Sequence, residues 1–286
     1  MTVLIGTAAG AFDADGAVLI DGTRINHLAR SDDGWWAVDG KGRIHLDGEV
    51  ISSGTDGVAL NCIQPSHDTV FVGSTEARLF RLEDGRLVES EFFADAPGRD
   101  RWYTPWGGPA DVRSMAVDLD GALYINIHVG GILRYDNTGI SPTIDLEADV
   151  HQVVAHPTRQ GVVLAATAYG LAESHNGHDF DTRSEGLFSS YCRAVAVIED
   201  TVFVSASNGP RASEGRLYRT DFGGSTMEQL TNGLPESFDS NLDTHRLATV
   251  DGSLFVGHGG TVWQSDDLGD AWSEVVSGLP RITCLI

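Results

Sequence analysis

Four short segments decide the fold: Val70-Phe-Val-Gly73, Leu123-Tyr-Ile-Asn126, Val202-Phe-Val-Ser205 and Leu254-Phe-Val-Gly257. Each is a run of β-branched, aromatic or aliphatic residues that stops at a small or polar one, the pattern of a short buried strand closed by a turn. Weaker copies at Val3-Leu-Ile-Gly6, Trp35-Trp-Ala-Val38 and Val163-Leu-Ala-Ala166 bring the units to seven, starting at positions 3, 35, 70, 123, 163, 202 and 254. Most steps are 32 to 40 residues, and the two longer ones hold insertions, one at 94–111 and one split between 206–216 and 231–244.

An apolar strand precedes nearly every copy, as in Ser114-Met-Ala-Val117 and Arg193-Ala-Val-Ala-Val197, and a further strand follows, as in Gly131-Ile-Leu-Arg134 and Gly215-Arg-Leu-Tyr218. Four short strands at this period make a propeller blade. The first unit lacks a preceding strand, while Arg281-Ile-Thr-Cys-Leu-Ile286 is a strand with nothing after it. If the last strand becomes the inner strand of the first blade, the ring closes and leaves no open sheet edge. The reading is an all-β, seven-bladed β-propeller of four-stranded antiparallel blades. It is a single domain over residues 1–286, closed by the C-terminal strand. A six- or eight-bladed ring is the alternative if the weak second unit is misread.

The 286 residues carry 19 Lys+Arg against 41 Asp+Glu, a formal net charge of −22. This excludes nucleic acid as a partner, because binding it needs basic clusters that displace counterions. Lys41 is the only lysine, and an anionic membrane surface is equally disfavoured. No stretch approaches 18 apolar residues and no basic, then apolar, leader opens the chain. Cys62, Cys192 and Cys284 are isolated, which implies neither a disulfide framework nor a cysteine zinc site. The expectation is a cytoplasmic protein.

Ser265-Asp-Asp267-Leu-Gly269-Asp-Ala-Trp272 resembles an Asp-box, the S-x-D-x-G-x-x-W turn between the outer strands of certain propellers, and Ser174-His-Asn176-Gly177-His-Asp-Phe180 is a shortened copy. The chain thus resembles the bacterial Asp-box (BNR-like) repeat propellers, which include sialidase-like glycosidases, sortilin-type receptors and photosystem assembly factors. The resemblance implies a structural role for Asp267 and Trp272, and a fold shared by such different activities supplies no function.

Strand direction sorts the remaining candidates. Each inner strand starts on the face where the second strand ends, and polar residues gather at those positions. His128, His151 and His245 come from three blades and are read as candidates for one divalent metal ion or for proton transfer. His151 and His245 each have a carboxylate two residues earlier, Asp149 and Asp243, of the kind that fixes an imidazole tautomer. Arg113, Arg193 and Arg246 open inner strands, where a guanidinium can hold a carboxylate or phosphate bidentately. Asn126, Tyr191 and Ser207 complete the rim. The 94–111 insertion, with Trp102, Tyr103 and Trp106, is expected as a lid on the same face.

Three arginines around a propeller axis resemble the sialidase triad, but that family is six-bladed and no Tyr-Glu nucleophile pair is found here. No nucleophile elbow, P-loop, zinc-protease motif or nucleotide or redox cofactor motif is present. Cys192 beside Arg193 could be a nucleophile or an inert core thiol. The preferred function is a metal-assisted hydrolase or lyase in which Arg193 and the three histidines act on a small anionic ligand. The alternative is a noncatalytic propeller that binds a protein or peptide.

Overall fold

The computed structural model describes residues 2–54, 57–67, 69–104 and 107–286. Among them, 28 strands form seven four-stranded antiparallel sheets arranged as the blades of a ring. The innermost strands of blades two to seven are Ile25–Ser31, Leu60–Pro65, Val112–Val117, Val150–Ala155, Tyr191–Ile198 and Leu247–Val250. Blade one takes its inner strand from the other end of the chain: Ile282–Leu285 pairs with Leu4–Thr7. Leu4 N donates to Ile286 O at 2.8 Å and Ile286 N to Leu4 O at 3.1 Å, so the two ends lock reciprocally.

The core is divided among the seven blade interfaces, one apolar cluster at each. Tyr124 and Ile132 of blade four pack on Val150, Val153 and Val163 of blade five, and Ile5 of blade one packs on Val250 and Phe255 of blade seven. Fully burying one such side chain contributes about 1.5–3 kcal/mol. Leaving an interface open would forfeit a whole cluster, and closure by the last strand prevents that.

The Asp-box-like turn links the outer strands of blade seven. Asp267 accepts from Ala271 N and from the Ser265 hydroxyl, and the buried Trp272 donates its indole N–H to Gly269 O. These residues hold the turn.

One irregularity recurs where the inner strands begin. The strand register slips at Thr283, Asn26, Asn61, Arg113 and His151, and again around Arg193. Each slip is a β-bulge, which leaves a residue unpaired and re-aims its side chain. In four blades that side chain bonds the first carbonyls of the next inner strand: Thr283 to Ile25 O, Asn26 to Leu60 O, Asn61 to Val112 O and His151 to Cys192 O. The bulge is therefore an inter-blade latch in most of the ring. Arg113 and Arg193 occupy the same position and do something else.

Candidate functional site

Arg113 and Arg193 turn to a shared carboxylate. Asp243, from the loop entering blade seven, lies 3.1 Å from Arg193 and 3.6 Å from Arg113. Burial acts to raise the Asp243 pKa, but Arg193, Arg113 and Arg246 outweigh it and hold the carboxyl below its ordinary value. Arg193 also donates to Pro210 O at 3.2 Å and lies over the Tyr191 ring. A cavity of about 700 Å³ opens here, lined by Arg113, His128, Asp149, Tyr191, Arg193 and the loop Asn208–Arg211. Asn241 holds that loop through Gly209 O and Pro210 O.

His128, Asp149 and His151 offer three ligand atoms that all lie within 4.8 Å of one another. Asp149 bridges the pair, with Oδ1 3.4 Å from His128 Nε2 and Oδ2 3.7 Å from His151 Nε2. Ligands about 2.1 Å from a tetrahedral metal stand roughly 3.4 Å apart, so small side-chain adjustments would enclose an ion. Local backbone strain aims the set. Asp149 (φ 46°) and Val129 (φ 52°), next to His128, lie in the left-handed region, which costs a branched residue most. Gly131 (φ 77°), two residues beyond Val129, packs so closely that a Cβ would stand 2.2 Å from Ile144 O.

The tautomer of His151 follows from its latch. A carbonyl oxygen only accepts, so the Nδ1 facing Cys192 O at 2.5 Å carries the hydrogen, and in the neutral ring Nε2 keeps its lone pair. Burial, then the charges of Arg113 and Arg193, lower the His151 pKa well below the usual imidazole range, so the ring is neutral. Burial would raise Asp149, yet the hydrogen bond from His128 and the charge of Arg113 hold it low. A buried lone pair that accepts no hydrogen bond therefore faces a carboxylate. That pairing is unfavourable unless something positive sits between them.

His245 does not join this cluster. Its backbone is left-handed (φ 66°) and its N donates to Gln152 Oε1, which turns the ring against His27, centroids 3.9 Å apart. Its Nε2 lies 3.4 Å from Arg113 O, and burial lowers its pKa to about 4. Of the expected trio His128, His151 and His245, the structure brings the first two together, with Asp149 rather than His245 beside them. Asp243, expected behind His245, belongs to the arginines. The imidazole pair separates the upper cavities from one of about 370 Å³ at the other end of the channel, lined partly by Leu28, Met115, Val154 and Leu247. This lower cavity gathers no comparable cluster.

Other expected site residues are placed elsewhere. Asn126 is buried inside blade four and donates to the Ser114 hydroxyl, while Ser207 is buried and its one hydroxyl hydrogen lies between Tyr191 O and Gly209 O, each 3.4 Å away. Trp102 packs on Phe93 with ring centroids 5.6 Å apart, against the core shared by blades three and four. Tyr103 is exposed, with its N donating to Val129 O. Among the described residues of the 94–111 insertion, Asp111 lines the cavity that Arg246 also lines, while Pro97, Gly98, Arg101 and Trp102 line a separate one of about 330 Å³ with Gly130 and Leu146; the half-buried Trp102 ties the segment down beside its blade. Trp106 lies outside the described residues. Arg246 lines a second, smaller cavity that shares Arg113 and His128 with the first. Cys192 is fully buried and burial drives its thiol pKa strongly upward, which makes it a core thiol. Asp149 as a candidate ligand was missed because its place before an inner strand suggested only a supporting carboxylate.

No protein-family model matches the sequence, and neither does any curated protein. Among solved structures the chain is similar to virginiamycin B lyase from Staphylococcus aureus, with a TM-score of 0.63 and 12% identity over 87% of this chain and 83% of that one. It is also similar to a putative 6-phosphogluconolactonase from Bacteroides fragilis, with a TM-score of 0.64 and 11% identity over 100% and 97%. An ancestral GH74 enzyme aligns with a TM-score of 0.63 and 12% identity over 97% of this chain and 40% of that one. At these identities the likeness is one of fold, and it places the chain among seven-bladed propellers whose neighbours include enzymes.

Proposed function

We propose that the chain is a metal-assisted hydrolase or lyase acting on a small anionic substrate in the 700 Å³ cavity. The observation that carries this reading is the unpartnered Nε2 of neutral His151 facing Asp149, with His128 completing the ligand set. Two imidazoles and one carboxylate suit a divalent transition ion with open positions. When bound, such an ion polarises a substrate oxygen or acidifies a water. Arg113 and Arg193 then hold the substrate's anionic group, and Asp243 keeps both guanidiniums oriented until it arrives. Structural neighbours that include a lyase and a putative lactonase are consistent with either reaction class.

The test is calorimetric titration of chelator-treated protein with Mn²⁺ and Zn²⁺, followed by turnover assays on anionic lactones, esters and elimination substrates. One ion per chain, with binding and turnover both lost in Asp149→Asn, supports the reading. Absence of saturable metal binding removes it. Exposed Tyr103, Tyr169 and Phe188 near the same face favour the second reading, a noncatalytic surface for a protein or peptide. That surface would work unchanged in Asp149→Asn.

A further inference from the structure

The smaller upper cavity, about 310 Å³, is lined by residues that include Arg24, Arg246, Arg113, Asn26, Asp111 and Asp243. Its charges do not cancel. Asp243 pairs with Arg113 and Arg193, and among the described residues no carboxylate forms an ion pair with Arg24 or Arg246. Arg24 Nε donates to Asn26 Oδ1, whose amide is itself occupied as the latch to Leu60 O. Arg246 is only 9% exposed; its Nη1 donates to Asn241 O at 3.3 Å, while its Nε has no partner. Arg281 adds a third positive charge nearby. Burial and this like charge lower the pKa of both Arg24 and Arg246, with Asp243 opposing. Of the charged residues lining the cavity, Arg24, Arg113 and Arg246 stand against Asp111 and Asp243, and the one positive charge left over favours an anion there even in a chain of net charge −22.

We propose that this cavity is a second anion subsite, in which Arg24 and Arg246 clamp a carboxylate or phosphate at the end of the substrate remote from the metal centre. The proposal rests on the adjoining cavity being the reaction site. His128 and Arg113 line both spaces, so one molecule spans them. The substrate class is then a two-headed anion, with its reacting group at His128, Asp149 and His151 and its distal charge between Arg24 and Arg246. A guanidinium pair suits planar or tetrahedral oxyanions and gives little to a neutral hydroxyl.

The experiment titrates inorganic phosphate, and separately acetate, into metal-free full-length protein. The tighter probe identifies the distal group. Arg24 is exposed, so Arg24→Gln leaves the core intact, and circular dichroism checks the fold of it and of Arg246→Gln. The expected result is about tenfold weaker binding in each variant, with affinity unchanged in His151→Asn. Equal affinity in wild type and Arg24→Gln, no saturable binding of either probe, or binding lost only in Arg193→Gln would each overturn the proposal. Failure of the metal-centre reading shows separately, as absent divalent-ion binding, and leaves these titrations readable.

Discussion

The imidazole Nδ1 of His151 donates to the carbonyl oxygen of Cys192 in the neighbouring blade at 2.5 Å. Asn61 and Asn26 make the equivalent bond two and three blades away. At their position a histidine can do what asparagine does with one nitrogen and hold a second in reserve. His151 is thus both a ring latch and a candidate ligand, and the two roles separate by substitution.

His151→Ala removes both roles and His151→Asn removes one. The alanine variant is expected to lose about 1–3 kcal/mol, because the buried Cys192 carbonyl is left without that partner. The asparagine variant is expected to lose about 1 kcal/mol or less, since it restores the bond its neighbours make, yet to lose metal binding as completely as alanine does. Chemical denaturation and calorimetry on the pair check this. Equal destabilisation would mean that the latch is not transferable.

Asp243 stands where an incoming anion would compete with it for Arg113 and Arg193. Asp243→Asn is expected to tighten phosphate binding at the Arg113–Arg193 site by roughly tenfold, about 1.4 kcal/mol, as a phase separate from the one that Arg24→Gln weakens. Its stability cost is about 1 kcal/mol, because the side chain is 40% exposed and the pairs are partly screened. Weaker phosphate binding in this variant would show that Asp243 chiefly positions the guanidiniums.

Deleting residues 282–286 removes the strand that completes blade one, along with Ile282, Cys284 and Leu285 from two blade interfaces. The exposed edge of Leu4–Thr7 is then open to pairing with other chains. Loss of cooperative unfolding together with aggregation on size-exclusion chromatography is the expected outcome. A monomer with unchanged melting temperature would mean that the ring does not depend on closure.

Acid sensitivity has an identifiable source in blade two. Burial would raise the Asp39 pKa, but Arg43 N, His45, the Arg43 side chain and Lys41 N all bond to its carboxyl and hold it low. A lowered folded-state value stabilises the fold fully above the unfolded value of about 3.9, and that contribution disappears as pH falls through the folded value. Asp39→Ala is therefore expected to cost about 2–3 kcal/mol at neutral pH. Urea denaturation should show the gap to wild type narrowing between about pH 5 and pH 3.

The ring was legible because its signals are local and repeated. Seven apolar runs, a missing first strand and an orphan Ile282–Ile286 segment fixed blade count and closure together, and strand direction put Arg113, Arg193, His128 and His151 on one face. Contacts that depend on backbone detail were hidden. A left-handed His245 points to His27, a burial preference draws Trp102 onto Phe93, and the bulges at the inner strands of blades two and three convert Asn26 and Asn61 into latches. Arg24 was missed because it precedes a latch residue and belongs to no chemical motif. Its importance lies in the charges around it, which only the fold brings together.

Anomalous diffraction from crystals grown with Mn²⁺ tests the central claim most directly. The account predicts one peak about 2.0–2.3 Å from His128 Nε2, His151 Nε2 and an Asp149 oxygen, absent in His151→Asn. A crystal saturated with Mn²⁺ that shows no peak between these three side chains would contradict it.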